Sequence, residues 1–231
     1  MTSLHNSPSC SICTSIKTRE KVELSAEQPS TPQQAWDAML AGNQRFVTGD
    51  LAHPRQDIDH REALAAAQKP FAALFGCSDS RLSAEIIFDV SLGDLFVVRN
   101  AGQVIAETIL GSLEYAVEVL GVPLIMVLGH DECGAIRAAI DSTQGKLQAK
   151  GEFIQHIVAS IQPTVRTANA QGIHDIDEVT SLHVKDTIND LVSRSKIIRE
   201  AVDAGKLAIV GANYKLVLGD IHPLVMVGQV S

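Results

Sequence analysis

The chain has 231 residues, of which 45% are hydrophobic, and a formal net charge of −8 at pH 7. This length and apolar content suffice for one core and favour one large domain over two. The acidic balance argues against a nucleic-acid partner, which would need a basic patch. No apolar run reaches the roughly 18 residues of a membrane-spanning helix, so no membrane partner is expected.

The first thirty residues differ in composition from the rest of the chain. Residues 1–30 are polar and show no hydrophobic periodicity, so we predict a disordered extension ahead of one domain over residues 31–231. Cys10 and Cys13 form a C-x-x-C motif there. The motif has no second pair and no βαβ context, which favours two free thiols over a metal or redox site.

The remaining elements alternate between amphipathic helices and short apolar runs. A first helix begins at Pro32 after the N-cap residue Thr31, and Gly42-Asn43 is expected to kink or break it. Pro163 is expected to bend or interrupt a later helix. Further helices are predicted over residues 60–68, 83–89, 105–120, 134–141, 152–168 and 177–203.

Short apolar strands separate these helices. They are predicted over residues 71–76, 95–98, 124–128 and 207–211, with a closing hairpin that pairs 215–218 with 224–227 around Gly219-Asp220. Such alternation predicts an α/β fold. Its core would be a mainly parallel central β-sheet of four to five strands covered by helices, with an N-terminal helical arm.

Two of these strands end in residue types that bind metals. The run F-A-A-L-F-G-C-S-D-S-R at 71–81 contains Cys77, and L-I-M-V-L-G-H-D-E-C at 124–133 contains His130 and Cys133. Open α/β sheets place their ligand sites at the carboxyl ends of strands. Three protein ligands with one open position are typical of catalytic zinc. We therefore predict a Zn²⁺ site at these three residues.

Asp79 and Arg81 complete a C-x-D-x-R motif after the first strand. A carboxylate two residues from Cys77 would lie near the metal and could accept a hydrogen bond from an activated water. It could also occupy the fourth zinc position itself. A two-point ion pair with Arg81 would prevent this, although the sequence leaves open whether the pair survives at low pH.

Each motif alone has a structural interpretation. A single cysteine after a strand is usually a small buried residue, and Asp-Ser-Arg often forms a capped loop. The occurrence of both motifs after apolar strands argues against this interpretation. A structural zinc site would need a fourth Cys or His ligand, and none lies nearby.

The motifs C-S-D-S-R at 77–81 and H-D-E-C-G at 130–134 resemble those of the β-class carbonic anhydrases. The segments at 93–102 (G-D-L-F-V-V-R-N-A-G) and 113–117 (L-E-Y-A-V) are similar to that family too. The resemblance implies a zinc enzyme in which a zinc-bound hydroxide reversibly hydrates CO₂ to bicarbonate and a proton. It also implies a homodimer or homotetramer with the active site at the dimer interface.

The resemblance further assigns individual roles. Cys77, His130 and Cys133 correspond to the zinc ligands, and Asp79 and Arg81 to the catalytic dyad.

Four more residues correspond to the substrate site of the family. Gln68 matches a substrate-binding glutamine, and Phe96 and Tyr115 match aromatic residues that line a narrow apolar pocket. Gly102 falls in the turn beside the active site. In the family, some of the lining residues come from the partner subunit.

Three alternatives remain open at this point. The H-x-E at 130–132 occurs in zinc nucleobase deaminases, but that class needs further cysteine ligands downstream and none follows Cys133. A relative that hydrolyses carbonyl sulfide or carbon disulfide would carry the same metal motifs. A non-enzymatic protein with a structural zinc or a redox tail would leave the dyad without a role. His156 and His183 are interpreted as surface or core residues rather than ligands.

The four cysteines also bear on localisation. Their uneven spacing does not form a disulfide framework, and the sequence shows no secretory signal. We therefore expect a reducing compartment, the cytoplasm. The Ser/Thr-rich stretch 1–19 faintly resembles a transit peptide, which is the alternative.

Overall fold

A five-stranded sheet organises residues 28–231, the part of the chain that the computed structural model describes. The predicted extension, with Cys10 and Cys13, lies almost wholly outside the described residues. The strands are β1 (Ala72–Cys77), β2 (Leu95–Asn100), β3 (Leu124–His130), β4 (Ala208–Tyr214) and β5 (Ile221–Val227). Their order across the sheet is β2-β1-β3-β4-β5, and only the β4–β5 pair is antiparallel. This confirms the predicted α/β fold with its mainly parallel sheet.

Helices cover both faces of the sheet. They are α1 (Pro32–Thr48), α2 (Ile58–Leu64), α3 (Ala84–Ile87), α4 (Glu107–Glu118), α5 (Gly134–Thr143), α6 (Glu152–Ala170), α7 (Ile176–Arg194) and α8 (Lys196–Asp203), with a 3₁₀ turn at Ala101–Gln103. Every residue of β1, β3 and β4 is buried, as expected for central parallel strands covered on both sides.

The core divides into two apolar clusters, one on each face of the sheet. The first cluster contains Trp36 and Met39 of α1 together with side chains of α3, α5 and α6. The second contains Leu113 of α4, Ile188 of α7 and Ile198 of α8. The N-terminal helix is therefore docked on the sheet through its apolar face rather than left free.

The predicted kink at Gly42-Asn43 is wrong, because α1 runs unbroken to Thr48. Tertiary packing explains both residues. A Cβ at position 42 would lie 1.7 Å from the carbonyl oxygen of Phe88, so only glycine fits. The buried Asn43 amide donates to the carbonyl oxygens of Ile87 and Gly219. These residues mark a close contact and not a helix end.

The single helix predicted over 177–203 is also wrong, because Ser195 separates α7 from α8. Its backbone is extended, with φ −101° and ψ 113°. The Ser195 hydroxyl accepts from the backbone N–H of Ile198 and donates to Glu114 on α4. The break therefore depends on a cap and on a partner 81 residues away in the chain.

The predicted C-terminal hairpin is wrong in its pairing. β5 pairs with β4, and residues 215–220 form the turn between them. The four parallel strands all extend beyond their predicted ends, β1 to Cys77, β2 to Asn100, β3 to His130 and β4 to Tyr214. Pro163 lies inside α6 without ending it. The described residues contain no helix that is both long and apolar enough to cross a membrane.

Candidate metal centre and active site

Cys77, His130 and Cys133 converge where β1 and β3 end. The two strands are parallel neighbours with Gly76 opposite Leu128, so the residues that follow emerge side by side. The three ligand atoms lie within 4.8 Å of one another. Their side chains are buried, which excludes most solvent from the cluster. Two sulfurs and one imidazole nitrogen at this spacing suit a single Zn²⁺ ion.

The hydrogen bonding of His130 fixes which nitrogen faces the thiols. Nδ1 lies 2.8 Å from the carbonyl oxygen of Asp131, which can only accept, so Nδ1 carries the hydrogen. Nε2 is buried and has no hydrogen-bond partner among the described residues. The unsatisfied lone pair of Nε2, beside two thiols, is what a metal ligand requires. The hydrogen bond from Nδ1 is of the kind that commonly orients a metal-binding histidine ring.

A strained turn brings His130 and Cys133 to the same point. Glu132, between them, has φ 50°, a left-handed conformation that side chains other than glycine rarely adopt. Cys133 then stands immediately before the first turn of α5, where backbone N–H groups point towards its sulfur.

The two thiols differ in their hydrogen bonds. A hydrogen bond from the Cys133 thiol lowers the pKa of Cys77 to about 4, although burial opposes this. The backbone N–H of Gly102 also donates to Cys77 Sγ over 3.3 Å. In turn, the Cys77 thiolate and burial raise the pKa of Cys133. Cys77 is thus the more readily deprotonated of the two thiols, and a divalent cation would deprotonate both.

Asp79 and Arg81 form the two-point ion pair expected from the sequence. Arg81 Nε lies 2.9 Å from Asp79 Oδ1, and Nη2 lies 2.7 Å from Oδ2. The hydrogen bond from Arg81 holds the pKa of Asp79 well below its usual range. Asp79 Oδ2 is 4.0 Å from His130 Nε2, so an ionised acceptor lies beside the cluster.

Arg99 is a site residue to which sequence reasoning assigned no role. Its Nε donates to the carbonyl oxygen of Cys77 over 2.8 Å, and its Nη2 donates to that of Asp79 over 2.6 Å. The guanidinium thus fixes the backbone on both sides of Ser78. Arg99 lies within the segment 93–102 that resembles the family, which was the available signal.

Gly102 lies directly against the cluster. It has φ 75°, and a Cβ there would lie 2.7 Å from Ala135 Cβ and 2.9 Å from Ile161 Cδ1. Glycine therefore permits both the turn and its close packing. The family resemblance groups Gly102 with the substrate residues, whereas its observed contact is with the Cys77 thiol.

The aromatic residues predicted for the substrate pocket do not lie on the face of the sheet that carries the two cysteines. Gln68 is exposed in the segment between α2 and β1. The rings of Phe96 and Tyr115 lie 6.0 Å apart, and Phe96 packs against the second apolar cluster. The two cysteines belong to the first cluster. The roles of these three residues stay predictions.

Comparison with known proteins places the chain in a family. The family model described as carbonic anhydrase matches residues 72–221. Carbonic anhydrase 2 of Mycobacterium tuberculosis is 50% identical over 190 residues, which cover 81% of this chain and 91% of that protein. The carbonic anhydrase of Mycolicibacterium smegmatis is 46% identical over 193 residues, which cover 84% of this chain and 93% of that one.

Solved structures agree on the fold. A tetrameric β-carbonic anhydrase from Sordaria macrospora superposes with a TM-score of 0.67 at 24% identity and covers 85% of this chain and 100% of its own. The chain belongs to the β-class carbonic anhydrase family. The family consists of zinc-dependent lyases that catalyse CO₂ hydration, which confirms the predicted enzyme class and cofactor.

Proposed function

We propose that this chain catalyses the reversible hydration of CO₂ to bicarbonate and a proton at the Cys77, His130 and Cys133 cluster. The observation that carries the proposal is the buried set of two sulfurs and one nitrogen with the ionised Asp79 beside it. Zinc bound there would supply the Lewis acid that makes water nucleophilic near neutral pH. These three side chains would hold it and leave one position open.

Asp79 is proposed to orient the attacking water. Because Arg81 keeps the carboxylate ionised, Asp79 accepts a hydrogen bond and does not donate one. A water that donates to Asp79 Oδ2 has a lone pair free to face the carbon of CO₂. Arg81 binds both carboxylate oxygens, which fixes their direction and restrains Asp79 from moving to the metal.

CO₂ carries no net charge, so we propose that an apolar pocket binds it mainly through shape complementarity and the exclusion of water. Gln68 would donate a hydrogen bond to an oxygen of bicarbonate. Phe96 of the partner subunit and Tyr115 of the partner subunit would line the apolar wall. This assignment accommodates the observation that neither ring lies at the cluster of its own chain.

A homodimer or homotetramer is proposed to complete the site. Phe96 lies on β2, which is an edge strand of the sheet, and Tyr115 is 44% exposed. An edge strand flanked by an exposed aromatic side chain is a natural contact for a second copy. The Sordaria macrospora relative is tetrameric. Light scattering at micromolar concentration should give two or four chains per particle, and a monomer with full turnover would contradict this assembly.

The cytoplasm is proposed as the place of action. Cys77 and Cys133 are both buried free thiols, and the metal centre needs both in reduced form. Reducing compartments keep thiols in this state. Cell fractionation should recover the protein with the cytoplasmic markers, and recovery with an organelle would favour the transit-peptide alternative.

The function is tested by stopped-flow CO₂ hydration at pH 8.5, with zinc content measured on the same sample. We expect rapid turnover at about one zinc per chain. Full zinc without turnover would contradict CO₂ as the substrate and move attention to carbonyl sulfide. Folded protein without zinc, even after zinc is added, would contradict the ligand assignment.

A further inference from the structure

A buried histidine outside the metal cluster contacts the turn that covers the Cys77 thiol. His183 on α7 is 5% exposed, and its Nε2 lies 2.9 Å from the carbonyl oxygen of Gly102. The backbone N–H of the same glycine donates to Cys77 Sγ. A single residue thus separates the imidazole from a predicted zinc ligand.

The contact defines the state of the imidazole. A carbonyl oxygen only accepts, so Nε2 of His183 carries the hydrogen, and Nδ1 has no partner among the described residues. Burial lowers the pKa of His183, although Gly102 and the nearby carboxylates of Asp186 and Asp190 oppose this. Asp186, Asp190 and the cationic Arg194 line the cavity beside the ring. The ring is therefore neutral, and its only N–H is committed to Gly102.

The turn at Gly102 needs an external anchor. Gly102 and Gln103 are consecutive left-handed residues, with φ 75° and 39°, and the second is not a glycine. The ends of the turn are tied by Asn100, whose amide accepts from and donates to the backbone of Val104. His183 holds the middle of the turn, where the N–H faces the sulfur.

We infer that His183 is a positioning residue, which holds the Gly102 peptides so that the N–H stays directed at the Cys77 thiolate. This hydrogen bond withdraws electron density from the sulfur, so the thiolate donates less to the metal. Hydrogen bonds to a metal ligand orient that ligand and tune the metal it holds. The inference rests on the proposed metal centre, and it does not require CO₂ as the substrate.

Three substitutions of His183 distinguish the loss of its hydrogen-bond donor from the loss of its packing. Glutamine in His183→Gln can place an N–H donor where Nε2 lies, whereas the shorter amide in His183→Asn does not reach Gly102. His183→Leu removes the donor, and the adjacent cavity of about 480 Å³ leaves room for the branched side chain. Thr187→Val is the matched control. Thr187 lines the same cavity one turn along α7, and its hydroxyl bonds only within the helix.

The readouts are made on the full-length protein and report on the metal. Zinc affinity is measured by competition with a chromophoric chelator, and the thiolate-to-metal charge-transfer band is recorded after substitution with Co²⁺. His183→Leu and His183→Asn should bind zinc about 10-fold more weakly, because the Cys77 sulfur is then less well oriented and, as a stronger base, is more readily protonated in competition with the metal. Their band should move to longer wavelength, since a thiolate without the hydrogen bond is easier to oxidise. His183→Gln and Thr187→Val should match the wild type.

Two results would overturn the inference. The first is wild-type affinity and an unshifted band in both His183→Leu and His183→Asn. The second is an equal loss in His183→Gln and His183→Asn, which would reduce His183 to a packing residue. If His183→Leu does not fold, the comparison of His183→Gln with His183→Asn tests the inference without it. A wild type that binds zinc but does not hydrate CO₂ would refute the proposed function, and these metal readouts would still decide the role of His183.

Discussion

At the scale of single residues, the site depends on the pairing of groups that would be costly alone. A buried imidazole nitrogen without a partner among the described residues and a buried thiolate are both unfavourable until a cation joins them. The carboxylate of Asp79 stays off the metal because Arg81 engages both of its oxygens. The dyad should therefore affect catalysis more than metal binding.

Replacement of Asp79 by asparagine tests whether the carboxylate acts in catalysis and not in metal binding. Asp79→Asn should retain about one zinc per chain but lose roughly 100-fold or more in kcat, since a neutral amide no longer orients the water as an ionised acceptor. The measurement is stopped-flow hydration with zinc analysis on one sample. Cys77→Ser is the contrasting variant, and it should lose zinc and activity together. Near-wild-type turnover in Asp79→Asn would contradict the role of that carboxylate.

At the scale of elements, α1 is held in place by its packing against the end of α3 and the residues that follow it. Gly42 lets the helix backbone approach Phe88, and Asn43 links α1 to two carbonyl oxygens. Asp89 joins the same region, because it accepts from the side chain of Arg45 and from the backbone of Ala52 and His53.

Two glycine-to-alanine substitutions test the close contact between α1 and Phe88. Gly42→Ala should lower the free energy of unfolding by about 2 kcal/mol or more, because its Cβ would overlap the Phe88 carbonyl group. Gly111→Ala is the control, since Gly111 lies in α4 with no atom within 4 Å of an added Cβ. That change should stabilise by about 0.5–1 kcal/mol through helix propensity. Equal effects in a urea titration would contradict the packing argument.

Asp89 should make stability depend on pH. Burial opposes its ionisation, but hydrogen bonds from Arg45 and the backbone lower its pKa. Since the folded pKa lies below the unfolded value of about 3.9, the stabilisation is complete above that pH and is lost as the pH falls through the folded pKa. Asp89→Asn should therefore destabilise by about 1–3 kcal/mol at pH 7.

The control for Asp89 is the exposed Asp50, whose replacement by asparagine should change little. The difference in unfolding free energy between wild type and Asp89→Asn should stay constant from pH 8 to about 5 and shrink only below about pH 4. If the difference instead shrinks as the pH rises, Asp89 does not stabilise the folded state through a lowered pKa.

At the scale of the whole molecule, local signals predicted the four parallel strands and the metal cluster. An apolar run that ends in glycine and then in a metal-binding residue, Cys77 or His130, marks both the strand and its ligand, so Cys77, His130 and Cys133 could be grouped from sequence. Parallel pairing of β1 and β3 then brings them together.

The two helix errors share a physical origin in contacts between distant residues. The helix break at Ser195 depends on Glu114, and the uninterrupted course of α1 depends on Phe88 and Gly219. The contacts of Arg99 and His183 with the site likewise join residues far apart in the chain. Periodicity within a short window cannot show such contacts.

Zinc-edge X-ray absorption on protein that hydrates CO₂ would identify the metal ligands directly. We expect two sulfur scatterers near 2.3 Å and one imidazole nitrogen at about 2.0–2.1 Å, with one further light atom. Cys133→Ser serves as the control and should lose the sulfur pair together with the zinc. A first shell with four sulfurs, or with none, would contradict the assignment of Cys77, His130 and Cys133 as the metal ligands.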